Sequence, residues 1–217
     1  MTYNELVTAV SDYSENTFPT SVMDIMIKQA EQRIYNTVQI ANLRKNVTGS
    51  LTSGNKYLQC PTDFLSVYSL AIYPAAGGAY EYLLDKDVNF IRQAYPNPAT
   101  TGKPKHYAIF GPRSDDATEL TFIVGPTPNA DYSAELHYFA YPESIVTAGE
   151  TWLGENFDSA LLNGTMIEAI TYMKGEADMI KLYDDRYMSA IALLKNLGDG
   201  KQRTDAYRTG QVRIKVN

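Results

Sequence analysis

The sequence predicts an α+β protein: an antiparallel helix bundle with an inserted antiparallel β-module and an extended C-terminal arm. Helical periodicity runs through residues 21–41 and returns in residues 157–197, while short tyrosine-rich strands fill the region between them. We therefore expect three parts: a discontinuous helical bundle of residues 1–44 plus 143–198, a β-module of residues 45–142, and an arm of residues 199–217.

The N-terminal region predicts two helices. Thr2 and Glu5 match a capping box that opens the first helix, and Ser21 with Asp24 matches a second cap. Apolar residues then recur at steps of three and four, which predicts a packing face: Met23, Ile27, Ala30, Ile34 and Val38. Polar residues fall mainly between them and form either a solvated helix face or a contact with a neighbouring subunit. The candidate interface residues are Lys28, Glu31, Gln32, Arg33 and Tyr35.

The central region predicts an antiparallel sheet or small barrel. Residues 47–51 and 57–59 flank a turn and predict a hairpin, and residues 80–83 are expected to pair with the strand at 67–73. Asp85 or Asp87 is expected to cap a short helix. The last strand, 132–141, alternates apolar and polar residues, so one of its faces is expected to be buried.

The C-terminal region predicts two further helices and a tail. Gly175 separates the helices, and Gly198 is in the position of a C-terminal cap. Beyond it, residues 212–216 alternate apolar with basic side chains, as a β-strand does, but no partner strand is predicted for them.

The charge is unevenly distributed along the chain. The net charge is −6, and residues 201–217 carry +4, so the first 200 residues carry −10. Affinity for nucleic acid comes mainly from clustered Lys and Arg, so an acidic body argues against a DNA-gripping surface. The basic tail is interpreted as a docking arm or a solvated end in preference to a nucleic-acid contact.

Cysteine content and hydropathy bear on the location of the protein. Cys60 is the only cysteine, so no intramolecular disulfide forms, and a reducing cytosol is the expected setting. The sequence predicts neither a secretion signal nor a membrane span.

The search for catalytic motifs argues against an enzyme. No nucleotide-binding loop and no serine nucleophile elbow is found. His106 and His137 are too few for a histidine metal site, and adjacent acidic residues on one helix point in different directions. No cofactor and no metal is expected. Glu119 and Glu135 are the one carboxylate pair that a glycan-cleaving enzyme would use.

Tyrosine is unusually frequent, with 17 tyrosines against 7 phenylalanines. Tyrosine provides a large contact area and a hydrogen-bonding tip, which is typical of subunit interfaces. The alternative is a sheet with one wet face, since tyrosine is also a good β-former.

The order of several short elements resembles the head-to-tail adaptor proteins of short-tailed bacteriophages. The matching segments are Ile27–Tyr35 with its Ala-Glu-x-x-Arg order, Pro61–Leu65, Gly102–Ile109, Val124–Pro128 and Leu136–Tyr138. Further matches at Leu161–Gly164, Glu168–Ala169 and Tyr187–Ala190 extend the resemblance over most of the chain.

The resemblance implies a structural virion protein at the head-tail junction, made in the cytoplasm of the bacterial host. Such adaptors form a ring, usually of twelve copies, that docks on the portal protein, offers a platform to the tail nozzle or tube protein, and conducts DNA without sequence-specific binding. The implied portal-binding residues lie in the arm: Arg208, Val212, Arg213, Ile214, Lys215 and Val216.

Two alternatives stay open on sequence alone. A tail-tube or tail-completion protein would share the tyrosine-rich strands, although helices flanking a β-module argue against it. A virion-associated glycan-binding or glycan-cleaving protein would use the aromatic residues or the carboxylate pair.

Overall fold

The computed structural model describes residues 1–38, 40–111 and 120–203. It confirms the predicted α+β class. The helices of the described residues are α1 Tyr3–Ser14, α2 Thr20–Thr37, α3 Val88–Ala94, α4 Ile145–Ala148, α5 Trp152–Asn156, α6 Asp158–Tyr172 and α7 Ala177–Arg203, with one turn of 3-10 helix at Ala41–Leu43. None of these helices combines the length and apolar composition that crossing a bilayer requires.

The described strands form two four-stranded sheets and one short pair. The strands are β1 Arg44–Leu51, β2 Tyr57–Gln59, β3 Ser66–Pro74, β4 Glu81–Tyr82, β5 Leu84–Asp85, β6 Thr101–Gly102, β7 His106–Phe110, β8 Thr121–Gly125, β9 Thr127–Pro128 and β10 Tyr132–Phe139. Sheet A has the order β1-β10-β3-β4, sheet B has the order β2-β8-β7-β5, and β6 pairs with β9. Pairing is antiparallel except for β5 with β7 and β6 with β9.

The chain divides into two compact units. Among the described residues, the helical unit contains Met1–Leu43 and residues 141–203, and the β unit contains Arg44–Ala140.

The helical unit is built on the apolar stripes of its helices. In α2, Met23, Ile27, Ala30 and Ile34 are almost fully buried. α6 is the central helix, with most of its residues buried, and it packs against α1, α2 and α7. Gly164 marks the closest approach of α2, because a β-carbon there would lie 3.3 Å from the Ala30 β-carbon.

One predicted helix cap is confirmed, and two helix boundaries differ from those predicted. The capping box of α1 is confirmed: Glu5 N donates to Thr2 Oγ1 at 3.3 Å and Thr2 N donates to Glu5 Oε2 at 2.8 Å. The predicted cap at Ser21 is wrong. Pro19 is the N-cap and its carbonyl already accepts from Val22 N, so the helix begins one residue before Ser21. The predicted stop at Gly198 is also wrong, since α7 continues to Arg203.

The predicted hairpin of residues 47–51 with 57–59 is wrong. β1 pairs instead with β10, so Val47 faces Leu136 and Gly49 faces Ala134, while β2 joins sheet B through β8. The long alternating face of β10 offers β1 eight paired positions, which the three residues of β2 do not. The predicted pairing of residues 80–83 with β3 and the capping of α3 by Asp87 are confirmed.

The core of the β unit is aromatic and aliphatic. Phe122 lies at its centre, fully buried, with the rings of Phe64 and Tyr107 packed edge-on at 5.5 and 5.8 Å. β10 alternates buried with half-buried residues, so its expected buried face is confirmed.

Candidate assembly surfaces

The predicted interface residues on α2 separate into exposed and interior positions. Lys28, Gln32 and Arg33 are exposed. Glu31 and Tyr35 are buried, with 2% and 6% of their surface accessible. We correct the expectation for these last two: both belong to the interior of the helical unit and do not present a surface to a neighbour.

Glu31 has an intrachain role. Its carboxylate accepts a hydrogen bond from Ile145 N at 2.9 Å, and Ser144 also hydrogen-bonds to it. Burial raises the pKa of Glu31, and these hydrogen bonds and the charge of Lys28 oppose that rise. Glu31 therefore connects α2 to the start of α4.

Tyr35 packs inside the same region. Its ring lies 6.3 Å from that of Tyr141, whose hydroxyl donates to Asn36 Oδ1 at 2.5 Å. Burial, followed by the charge of Glu31, raises the pKa of Tyr35, so its hydroxyl stays protonated at neutral pH. The aromatic pair holds Tyr141 against α2.

Arg33 is exposed but also bonded within its own chain. Its guanidinium forms an ion pair with Glu168 of α6, whose side chain is 15% accessible against 41% for Arg33. The pair links two neighbouring helices of the helical unit. Lys28 and Gln32 are therefore the two predicted residues that are exposed and have no side-chain hydrogen bond in the described part of the chain.

The outer side of α7 carries apolar residues that sequence analysis did not single out. Met179, Leu182, Leu193 and Leu197 are exposed, Leu193 to 67%. At 3.6 residues per turn they fall within a sector of about 60°, beside the buried face of the helix. We call these four residues the α7 stripe.

An open groove adjoins the α7 stripe. It has a volume of about 630 Å³, and its lining includes Tyr13 of α1, Leu162 of α6 and both Arg186 and Leu193 of α7. Tyr13 is 60% exposed. Stripe and groove together give the helical unit a mainly apolar surface with a few polar groups, as protein-protein contact sites have.

The outer face of sheet A carries exposed aromatic rings in the β unit. Tyr68, Tyr80 and Tyr82 are all at least half exposed. The Arg44 guanidinium lies 4.9 Å from the centre of the Tyr68 ring, and the rings of Tyr73 and Tyr80 are 4.7 Å apart. Other tyrosines of this unit, such as Tyr107 and Tyr138, are buried instead. The exposed tyrosines lie on the wet face of a sheet and the buried ones in the core, so the subunit-interface reading stays a prediction.

The two histidines lie in ordinary hydrogen-bonded positions of the β unit. His106 Nδ1 is 2.9 Å from the Tyr95 hydroxyl, and burial followed by the charges of Lys86 and Lys105 lowers the pKa of His106. His137 Nε2 is 2.8 Å from Glu135 Oε1. Over residues 1–38, 40–111 and 120–203, no three His, Cys, Asp or Glu side chains lie close enough to hold a metal ion.

Some predicted residues fall outside the part of the chain that the structure describes. Glu119 is one, so its pairing with Glu135 has no geometry to report. The arm residues Arg208, Val212, Arg213, Ile214, Lys215 and Val216 are the others.

The helical unit is acidic up to residue 197. Residues 1–43 and 141–197 contain fourteen acidic and six basic side chains, a net charge of −8. A surface of this sign repels the phosphate backbone of nucleic acid and attracts basic segments of protein.

Comparison with known proteins identifies the family. The family model described as SU10 adaptor protein matches residues 1–215, nearly the whole chain. A search of curated proteins gave no match. The match covers both the helical unit and the β unit, and its description agrees with the head-to-tail adaptor resemblance of the sequence. The chain therefore belongs to the SU10 adaptor protein family, and is a structural adaptor protein of a bacteriophage virion.

Proposed function

We propose that this protein forms a ring at the head-tail junction, docks on the portal of the filled head and provides the platform to which the tail attaches. Family membership supports the adaptor role. The resemblance to adaptors of short-tailed phages supports the portal and the tail nozzle or tube protein as partners, and twelve copies as the stoichiometry.

The observation that carries the proposal is the α7 stripe with its groove. The exposed leucines in one sector of this long helix leave apolar area in water. A neighbouring copy that covers the stripe removes this area from water. When the covering surface is a different part of the chain, the contact is head-to-tail in type and closes into a ring if the rotation permits.

The acidic charge of the helical unit suits a DNA-conducting ring. A wall with a net negative charge repels the phosphates of DNA. The DNA therefore slides past without being held and without being read for sequence. Lys28 and Gln32 of α2 stay the proposed polar part of the subunit contact, and Arg33 joins them through the exposed part of its side chain.

The outer face of sheet A is the proposed platform for the tail. Its exposed tyrosines offer large, rigid contact areas with hydrogen-bonding tips. The basic arm stays the proposed contact with the portal, through Arg208, Arg213 and Lys215 toward acidic groups and through Val212, Ile214 and Val216 toward a strand edge.

Mixing the purified protein with purified portal tests the proposal. Native mass spectrometry and negative-stain microscopy should show a stoichiometric ring of adaptor on the portal. Adaptor incubated with a portal from an unrelated phage is the control. Absence of any complex with the cognate portal, under conditions in which both proteins stay folded, would refute the proposed function.

A further inference from the structure

The β unit has an open cleft between the edges of its two sheets. β1 is an edge strand of sheet A and β2 is an edge strand of sheet B. Between them lies a cavity of about 240 Å³, and we call this cleft the seam. Its lining consists of Val47, Thr48, Gly49, Leu58, Gln59, Cys60, Pro61, Ala134 and Leu136.

One wall of the seam is a long open strand edge. β1 pairs along all eight of its residues with β10 on one side, and no strand in the described part of the chain pairs with its other side. Every second backbone N–H and C=O of such a strand points away from its partner. An edge of this kind is a template for one more strand.

The interior of the seam is apolar. Val47 and Gly49 lie opposite Leu136 and Ala134 across the sheet, on its core-facing side. Gly49 has no side chain, and a β-carbon built there would lie 3.7 Å from Leu58 Cδ1. Glycine in a strand often marks a place where another backbone approaches. Val47 is 38% exposed, so the inner side of β1 is incompletely covered.

The C-terminal arm has the pattern that the seam requires. Residues 212–216 alternate Val, Arg, Ile, Lys and Val, so an extended strand places three β-branched residues on one face and two cations on the other. Fourteen residues follow Arg203, the last residue of α7, and they span roughly 46 Å when extended at about 3.3 Å per residue. The arm can therefore extend well beyond the end of its own helix.

We propose that residues 212–216 of one copy add as a strand to the open edge of β1 in a second copy, with Val212, Ile214 and Val216 in the seam and Arg213 and Lys215 in solvent. This inference rests on the proposed function for the exchange with portal, and the contact between two copies forms before the portal binds. Only one strand at a time can pair with the open edge of β1, and the same arm residues cannot pair with the portal and with β1 together. The seam thus holds the arm while no portal is bound, and portal binding withdraws it.

Disulfide trapping in the full-length protein tests the proposal, because Cys60 lines the seam and is the only cysteine of the chain. Val212→Cys, Ile214→Cys and Val216→Cys are oxidised mildly without portal, with Arg213→Cys as the matched control. At least one of the three apolar positions should give interchain disulfides to Cys60, mapped by peptide mass spectrometry, in at least fivefold greater yield than Arg213→Cys.

Three results would overturn the proposal: no disulfide to Cys60, equal yields at all four positions, or a disulfide formed only within one chain. The last result would assign the seam to the arm of the same copy. Addition of portal should reduce the interchain disulfide, and an undiminished yield would contradict the proposed exchange.

A second variant pair tests the seam from the other side. Val47→Lys puts a charge on the inner face of β1, and Ser50→Lys puts the same charge on the outer face of the same strand. Both positions are exposed, so both variants should melt within about 2 °C of the parent. In the background of the apolar cysteine variant with the highest disulfide yield, Val47→Lys should lower that yield at least tenfold and Ser50→Lys should leave it unchanged; equal yields would refute the seam.

The two proposals fail separately. If trapping succeeds and no ring forms on the portal, the arm does close the seam and the portal-docking function is wrong. If a ring forms and trapping fails, the function holds and the seam has no such occupant.

Discussion

The carboxylate of Glu31 accepts a hydrogen bond from the backbone N–H of Ile145 at 2.9 Å, inside the helical unit. Residue 145 is the first residue of α4, and its N–H has no partner within that short helix. Glu31 satisfies it from α2, across more than a hundred positions of sequence. The predicted subunit-interface residue is thus a structural connection within one copy.

Glu31→Ala should lower the free energy of unfolding by about 2 kcal/mol. The substitution leaves the Ile145 N–H unpaired in the interior and opens a small cavity. Glu31→Gln keeps an oxygen acceptor and should cost about 1 kcal/mol or less. Chemical denaturation measures both values. Gln32→Ala, exposed on the same helix, is the control and should change stability by less than about 0.5 kcal/mol.

Stability should also depend on pH through Glu31. Burial raises the pKa of Glu31 above its ordinary value of 4.5, so the folded state holds the proton to higher pH than the unfolded state does. The contribution of the protonated carboxyl is complete below 4.5 and is lost as pH rises through the raised pKa. The stability of the parent relative to Glu31→Gln should therefore fall as the pH rises from 4.5 through the neutral range. A constant difference over this range would show that the pKa of Glu31 is not raised.

Local patterns predicted the parts of the fold that depend on nearby residues. The capping box of Thr2 and Glu5 and the apolar stripe of α2 require only residues within a few turns, and both are confirmed. The hairpin of residues 47–51 failed because the partner of a strand is chosen by non-local burial. The alternating face of β10, far along the chain, competes better for β1 than the adjacent β2 does.

The surfaces were harder to predict than the helices. Glu31 and Tyr35 follow Ile27 and Ile34 closely enough to widen the buried stripe of α2, but a carboxylate is rarely buried, so sequence favours exposure. The α7 stripe was missed for the opposite reason. Leucine normally marks a core, and only the structure shows which leucines of a long helix meet another helix and which meet solvent.

The ion pair of Arg33 with Glu168 should contribute modestly to the stability of one copy. A double-mutant cycle with Arg33→Ala and Glu168→Ala should give a coupling energy of about 0.5–1 kcal/mol, since one partner is largely exposed. Raising the salt concentration from 0.05 to 0.5 M shortens the Debye length about threefold and should therefore reduce the coupling energy. A coupling energy of zero at low salt would mean that solvent replaces the pair.

The α7 stripe should matter for assembly and not for folding. Leu193 is 67% exposed, so replacing it with Glu removes little buried area from the single copy and should shift its melting temperature by less than about 2 °C; Leu182 is 42% exposed, so Leu182→Glu should shift it more. In a ring that covers the stripe, the same change puts a charge into an apolar contact. Losing the burial of one leucine costs about 1.5–3 kcal/mol, so assembly on the portal should weaken at least tenfold.

Lys195→Glu is the matched control, because residue 195 is exposed on a different side of α7 and the substitution introduces the same side chain. Titration of each variant onto portal, followed by native mass spectrometry, measures the effect. Full assembly of both leucine variants would place the subunit contact elsewhere on the helical unit, and an equal loss with Lys195→Glu would show that added negative charge, and not the lost apolar contact, prevents the ring from forming.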